Sequence, residues 1–311
     1  MRFDIVKCHG SGNDFALIDA RAIHLTDDAW AGVARALSDR AGPVGSDGLL
    51  LLGEGVRIHD FSMRMFNSDG SESEQCLNGL RCVARLGFER LGVARANVKL
   101  KTSSAEVAVA DPLAAGVYTV RETAGPVELD AARWLKDGGH EHVERRIAGL
   151  PSDRRYVAVG IGNPHLIAFV EAIDDAELSA VGAFAEGAPP LLPERANVSF
   201  VEIHGAAELF VRTHERGVGL TDSCGSAMAA ATFAACLTGR CAFGSETTVL
   251  NRGGRVVAQA DSEGMVTLHG NATFEWEGSV AIDPATGMAG ELIVARHHDA
   301  EIAAWAAVAD A

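Results

Sequence analysis

The chain reads as an α+β protein made of two similar halves, with its functional site expected in the cleft where the halves meet. Three observations lead there. Short motifs recur at an offset close to 150 residues. Short alternating strand patterns outnumber helical ones in each half. In each half a cysteine follows a glycine-containing turn and opens an apolar helical run: Cys76 after Asn67-Ser-Asp-Gly-Ser, and Cys224 after Glu215-Arg216-Gly-Val-Gly. Each cysteine lies nine positions after a polar residue, Asn67 or Glu215.

Taken in order, Gly12-Asn13-Asp14-Phe15 answers to Gly162-Asn163-Pro164-His165, 150 residues on. Ser46-Asp47-Gly48-Leu49-Leu50 leads into an apolar strand, as does Ala196-Asn197-Val198-Ser199-Phe200. A strand over Met63–Phe66 matches one over Leu209–Thr213. After Cys76, Leu77, Leu80, Val83, Ala84, Leu86 and Phe88 follow a period near 3.6, which predicts an amphipathic helix. After Cys224, Ala227 to Leu237 is apolar all round, which predicts a buried one. Hairpins follow, pairing Val98–Thr102 with Glu106–Val109 through Ser103-Ser104, and Thr248–Leu250 with Arg255–Val257 through Arg252-Gly-Gly254. The halves are expected to divide in the polar stretch Lys136–Asp153, giving domains 1–145 and 146–311. An Ala-rich helix is expected to close the chain, with His297-His298-Asp299 as its solvated start; His140-Glu-His142 is read as linker.

Composition narrows the classes. The 311 residues are 48% hydrophobic, enough for a sizeable core. With 27 Lys and Arg against 42 Asp and Glu, the net charge of −15 argues against nucleic acid or an anionic membrane as partner. It leaves room for a small anionic ligand. No apolar stretch approaches the about 20 residues of a membrane span, and the N-terminus lacks a signal-peptide core, so a cytoplasmic protein is expected. There, six cysteines are expected as free thiols. Their spacings suit no metal site, so no metal is expected. Cys8, Cys82, Cys236 and Cys241 read as small buried hydrophobes.

Cys76 and Cys224 read differently, because matched helix-start placement is unnecessary for packing. A thiol there faces unpaired N–H groups and the positive end of the helix dipole, which favour thiolate. Two facing thiols can take a proton from one side of a carbon and return it from the other. Helix N-termini also suit a carboxylate.

On these residues the sequence resembles the diaminopimelate epimerase family. His9-Gly-Ser-Gly-Asn13-Asp14-Phe15 is similar to its opening motif, and Asn67-Ser-Asp-Gly-Ser…Cys76-x-Asn78-Gly79-x-Arg81-Cys82 to its first signature. Gly162-Asn163-Pro164-His165, Asn197-Val198-x-Phe200 and Glu215-Arg216…Cys224-Gly225-Ser226 resemble the rest, in order. The resemblance implies two pseudo-symmetric domains, each a mixed or antiparallel sheet curled around a central helix. It implies an epimerase of LL- and meso-diaminopimelate, free of pyridoxal phosphate or other cofactor, and a homodimer. Carried over, Cys76 and Cys224 are the acid and base, with His165 and Glu215 setting their protonation. Asn13, Asn67, Asn163, Asn197 and Arg216 match the groups that grip the distal end of the substrate. Leu77, Asn78, Gly225 and Ser226 match donors to the reacting α-carboxylate. Arg216 suits that role physically, since guanidinium binds carboxylate bidentately.

One departure bears on substrate. Leu77 stands where the family usually has glycine, and a bulky side chain there would alter the pocket. A racemase of another amino acid, such as histidine, is therefore the alternative on the same scaffold. A thiol redox switch and a non-catalytic amino-acid binding protein are the readings from other classes. The first predicts that Cys→Ser leaves turnover intact; the second predicts binding without α-proton exchange.

Overall fold

The computed structural model describes residues 1–137, 139–283 and 287–309. They form two compact units: residues 1–122 with 269–311, and residues 123–268.

The first unit starts with β1 (Arg2–Gly10) and β2 (Asn13–Asp19), an antiparallel hairpin turning at Ser11-Gly12. Gly12 takes φ +78°, a conformation that favours glycine. Helix α1 (Asp27–Ser38) is capped by Thr26, whose hydroxyl accepts from Ala29 N. It crosses over to β3 (Gly48–Glu54), parallel to β2. Strand β4 (Phe61–Asn67) returns antiparallel, and short β5 (Glu72–Ser73) folds back on it. Then come α2 (Leu77–Leu91), β6 (Arg95–Lys99) parallel to β4, β7 (Ser104–Val109) and β8 (Thr119–Ala124). Cys76 is the N-cap of α2, and Gly92, in the left-handed region, ends it. The helix packs against β1, β2, β3, β4, β6 and β7, so the sheet curls around it.

The second unit repeats this plan. After β9 (His142–Arg146), the hairpin β10 (Arg155–Gly160) and β11 (Pro164–Val170) turns at Gly162, φ +77°. Helix α3 (Asp175–Glu186) crosses to β12 (Asn197–Gly205), parallel to β11. Antiparallel β13 (Glu208–Glu215) and β14 (Gly219–Thr221) follow, then α4 (Gly225–Leu237) with Cys224 as N-cap. Strand β15 (Thr247–Asn251) runs parallel to β13 and pairs with β16 (Gly254–Ala260), before β17 (Val266–Asn271). Helix α4 packs against β10, β11, β12, β13, β15 and β16, the counterparts of the strands around α2. The duplication inferred from sequence is thus a duplication of strand pairing, including both parallel crossovers. The α+β expectation holds.

The chain ends in the first unit with β18 (Thr273–Asp283), β19 (Met288–His297) and α5 (Asp299–Ala309). This corrects the division at 145/146. Strand β18 pairs along most of β1, from Arg2↔Ala281 to His9↔Thr273 with one bulge after Lys7, which binds the C-terminus to the first unit. The linker reading of 136–153 is also corrected. Strand β9 lies there, and His142 is buried, its Nε2 2.9 Å from Asp137 Oδ1. Nor is His298 solvated: it is buried against Glu277 (2.8 Å) and the Phe274 ring. The first hairpin turns two residues earlier than expected, because Leu100 N bonds Ser103 O (3.0 Å).

Candidate active site

Each unit carries half of the expected set. In the first, Cys76 Sγ accepts from Gly79 N at 3.4 Å, the contact that caps α2. Gly79 leaves little room there: a Cβ would lie 2.6 Å from Leu50 Cδ2 and 3.3 Å from Cys76 Sγ. Leu77 is only 3% exposed. Asn78 is buried, and its Oδ1 accepts from Arg81 Nη2 at 2.8 Å. Asn67 ends β4, its Nδ2 donating to Ser71 Oγ at 2.9 Å. Asn13 opens β2, its Nδ2 donating to Asp47 Oδ2 at 2.6 Å. Around Asn13 lies a dense charge cluster. Arg40 bridges Asp14 and Asp47, each at 2.6 Å, and Lys7 meets Asp14 and the Gly45 carbonyl. Hydrogen bonds from Arg40, with the nearby Lys7 ammonium, hold the Asp14 carboxyl below its usual range against the opposing push of burial.

In the second unit, Glu215 ends β13, its Oε2 accepting from Thr221 Oγ1 at 3.4 Å, and its carboxylate acts on the Cys224 thiol. Cys224 Sγ also lies 3.5 Å from Ser226 Oγ. Burial, and then the Glu215 carboxylate, push the Cys224 thiol well above its ordinary pKa, despite its contacts with Ser226 and the Ala227 N–H. For Cys224 this reverses the sequence expectation that a helix start favours thiolate: desolvation and a like charge outweigh the dipole. Behind it, Asn251 Nδ2 donates to Ser223 Oγ at 3.1 Å.

The remaining residues of this unit form one chain of contacts. His165 Nε2 is 2.9 Å from Asn163 Oδ1 and 3.4 Å from Asn197 Nδ2. Register explains part of this, since His165 and Asn197 face each other across the parallel pair β11–β12. Asn197 Oδ1 accepts from Arg216 N at 2.8 Å, while Arg216 Nη1 donates to Glu194 O at 3.0 Å. Burial, with the Arg216 charge nearby, lowers His165 to about 3, so the ring is neutral at physiological pH. Gly217 N donates to Glu186 Oε2 at 2.8 Å, which anchors the Arg216 loop.

Sequence reading missed three supporting groups: Asn251, Glu186, and above all the buried pair Arg81–Glu122 (2.6 Å, both 0% exposed). A signal for the last was available, because Arg81 interrupts the apolar face of the Cys76 helix. The described residues include no group of His, Cys, Asp and Glu placed to hold a metal ion. No helix among them is long and apolar enough to cross a membrane.

Solved structures sharing this fold include a hydroxyproline epimerase from Agrobacterium vitis with trans-4-hydroxy-L-proline bound. It has a TM-score of 0.63 and 13% identity, over 92% of this chain and 94% of that one. Another is a PhzF-family phenazine biosynthesis protein from Bacillus anthracis, TM-score 0.63, 15% identity, covering 91% and 100%. These two likenesses establish the fold, and the class, an isomerase, follows from the family model and the relatives that match the chain. The diaminopimelate epimerase family model matches residues 5–128 and 157–275. The diaminopimelate epimerase of Clostridium acetobutylicum is 37% identical over 91% of this chain and 87% of its own. That of Enterococcus faecalis is 38% identical over 86% of each. The chain belongs to the diaminopimelate epimerase family.

Proposed function

We infer that the chain interconverts LL- and meso-diaminopimelate, with Cys76 and Cys224 exchanging the α-proton on opposite faces of the carbon. The observation that carries this is the recurrence of a cysteine N-cap on the helix that each duplicated sheet enfolds. One sulfur acts as thiolate and takes the α-proton. The other, a thiol, gives its proton to the opposite face, so the two exchange protonation states in each turnover and titrate as a pair. The α-proton is very weakly acidic, so the carbanion needs preorganised donors in a dry site. The helix-start groups at Leu77-Asn78 and Gly225-Ser226 supply them for the α-carboxylate. Glu215 keeps Cys224 protonated until needed, and neutral His165 acts as a polar, uncharged neighbour. Asn13, Asn67, Asn163, Asn197 and Arg216 hold the distal amino-acid head. Neither metal nor organic cofactor takes part in this reading.

The test is proton NMR in deuterated water with LL-diaminopimelate and no added cofactor. Deuterium entry at one α-carbon, with conversion to the meso isomer, is expected, and is expected to vanish in Cys76→Ala and Cys224→Ala. Exchange with L-histidine but not diaminopimelate would move the assignment to the alternative racemase. A homodimer in the cytoplasm completes the proposal. Sedimentation at micromolar concentration checks the first part and fractionation of cells the second.

A further inference from the structure

The Arg81 guanidinium lies inside the first unit with no exposed surface, and its contacts run to three other pieces of chain and to the first turn of its own helix. Nη1 donates to Glu122 Oε1 on β8 at 2.6 Å. Nε donates to the Asn271 carbonyl at 3.0 Å. Nη2 donates to Asn78 Oδ1 in the first turn of α2 at 2.8 Å, and to Ser11 Oγ in the β1–β2 turn at 3.1 Å. Two glycines make room for it. A Cβ on Gly10 would sit 3.0 Å from Nη2 and 2.5 Å from the Asn78 carbonyl, and one on Gly270 would sit 2.6 Å from Nε. Ser11 is held at φ +51°, an uncommon conformation for serine, and its N–H donates to Asn271 Oδ1 at 2.7 Å. Glu122 Oε2 is buried with no hydrogen-bond partner. Burying an ion pair this way is a poor route to stability compared with apolar packing. The second unit does without it, with Ala229 five residues after Cys224 where Arg81 stands five after Cys76.

We propose that Arg81, with Glu122 as its counter-ion, is the positioning residue of the Cys76 half, locking the anion-binding start of α2 to the β1–β2 turn that carries Asn13. Because the same Nη2 holds Asn78 and Ser11, the α-carboxylate donors and the Asn13 turn share one rigid mount. The effect is geometric, and a point charge without the fork does not reproduce it. The inference rests on the reading that the Cys76 half handles a carboxylate substrate.

The test uses Arg81→Lys, which keeps the charge and loses the fork, on the full chain. Cys76 is alkylated with iodoacetate and, separately, with neutral iodoacetamide, and the modified peptide is quantified by mass spectrometry. The carboxylate of iodoacetate reports on the helix-start donors without any need for turnover. The iodoacetate-to-iodoacetamide rate ratio is expected to fall about fivefold, with the iodoacetamide rate within about twofold of wild type. In parallel, KM for LL-diaminopimelate is expected to rise about tenfold while kcat changes less than about threefold. A merely structural role would lower the active fraction, and so kcat, leaving KM and the reagent ratio unmoved. Should Arg81→Lys not fold, Ser11→Ala removes one arm of the mount and is expected to lower the ratio about threefold. An unchanged ratio with unchanged KM overturns the proposal. A lowered ratio in a protein whose wild type shows no exchange with diaminopimelate supports the positioning role and sinks the substrate reading instead.

Discussion

Replacing Gly79 by alanine tests how tightly the Cys76 sulfur is seated. The new Cβ would lie 2.6 Å from Leu50 Cδ2 and 3.3 Å from both Leu50 Cδ1 and Cys76 Sγ. Ordinary carbon contacts fall at about 3.5–4.0 Å, so Leu50, itself fully buried, must retreat by about 1 Å. Overpacking of this kind costs about 1–3 kcal/mol. Alanine returns up to about 1 kcal/mol through helix propensity, because Gly79 lies in the first turn of α2. The balance is a loss of about 0–2 kcal/mol, or a Tm lower by roughly 2–4 °C for each kcal/mol. The larger consequence falls on the sulfur, which must shift by several tenths of an ångström or give up the Gly79 N–H. Since a misplacement of about 1 Å costs about a hundredfold in rate, α-proton exchange is expected to fall about tenfold. Calorimetry and deuterium wash-in on the same preparation read both quantities. An unchanged or raised Tm together with exchange within about twofold of wild type would refute the reasoning.

Three further residues carry expected outcomes. Glu215→Gln removes the carboxylate beside Cys224, which lowers the thiol pKa and raises its thiolate fraction at a given pH; iodoacetamide should then label Cys224 about tenfold faster at pH 8. His165, lowered to about 3, should show constant imidazole shifts from pH 8 down to pH 5. Its folded pKa lies below the unfolded value of about 6.5, so the unfolded chain binds the extra proton between them; His165 therefore costs about 1.4 kcal/mol of stability for each pH unit below about 6.5. His165→Gln should flatten that part of the stability–pH curve, measured by urea unfolding. Arg85 donates to Glu301 at 2.5 and 2.8 Å and to the Ala272 carbonyl at 2.9 Å, and it stacks 3.8 Å from the Phe274 ring centroid. Arg85→Ala should release α5, seen as faster hydrogen exchange across residues 299–309, with a loss of about 2 kcal/mol.

Much of this protein is written locally. The offset near 150, the helix-start cysteines and the second hairpin at Arg252-Gly253 follow from periodicity and turn chemistry, which neighbouring residues decide among themselves. The family resemblance is local in the same sense, carried by short motifs that hold their spacing. Other features belong to partners far along the chain. Residues 269–311 join the first unit because β18 finds its edge on β1, and no stretch of either strand announces that match. His142 and His298 look like solvated tags in sequence, yet each is buried against a carboxylate that the fold brings to it. The Cys224 thiol is pushed up rather than down, because desolvation and the approach of Glu215 depend on what surrounds the helix start, not on the helix. Arg81 and Glu122, 41 residues apart, become one buried pair only once α2 and β8 are packed in the same unit. The sequence alone determined the repeat, most of the elements and the placement of a cysteine at each helix start, since these rest on short-range geometry. Tertiary structure alone decided burial, charge partners and unit membership, since each is set by contacts between distant segments.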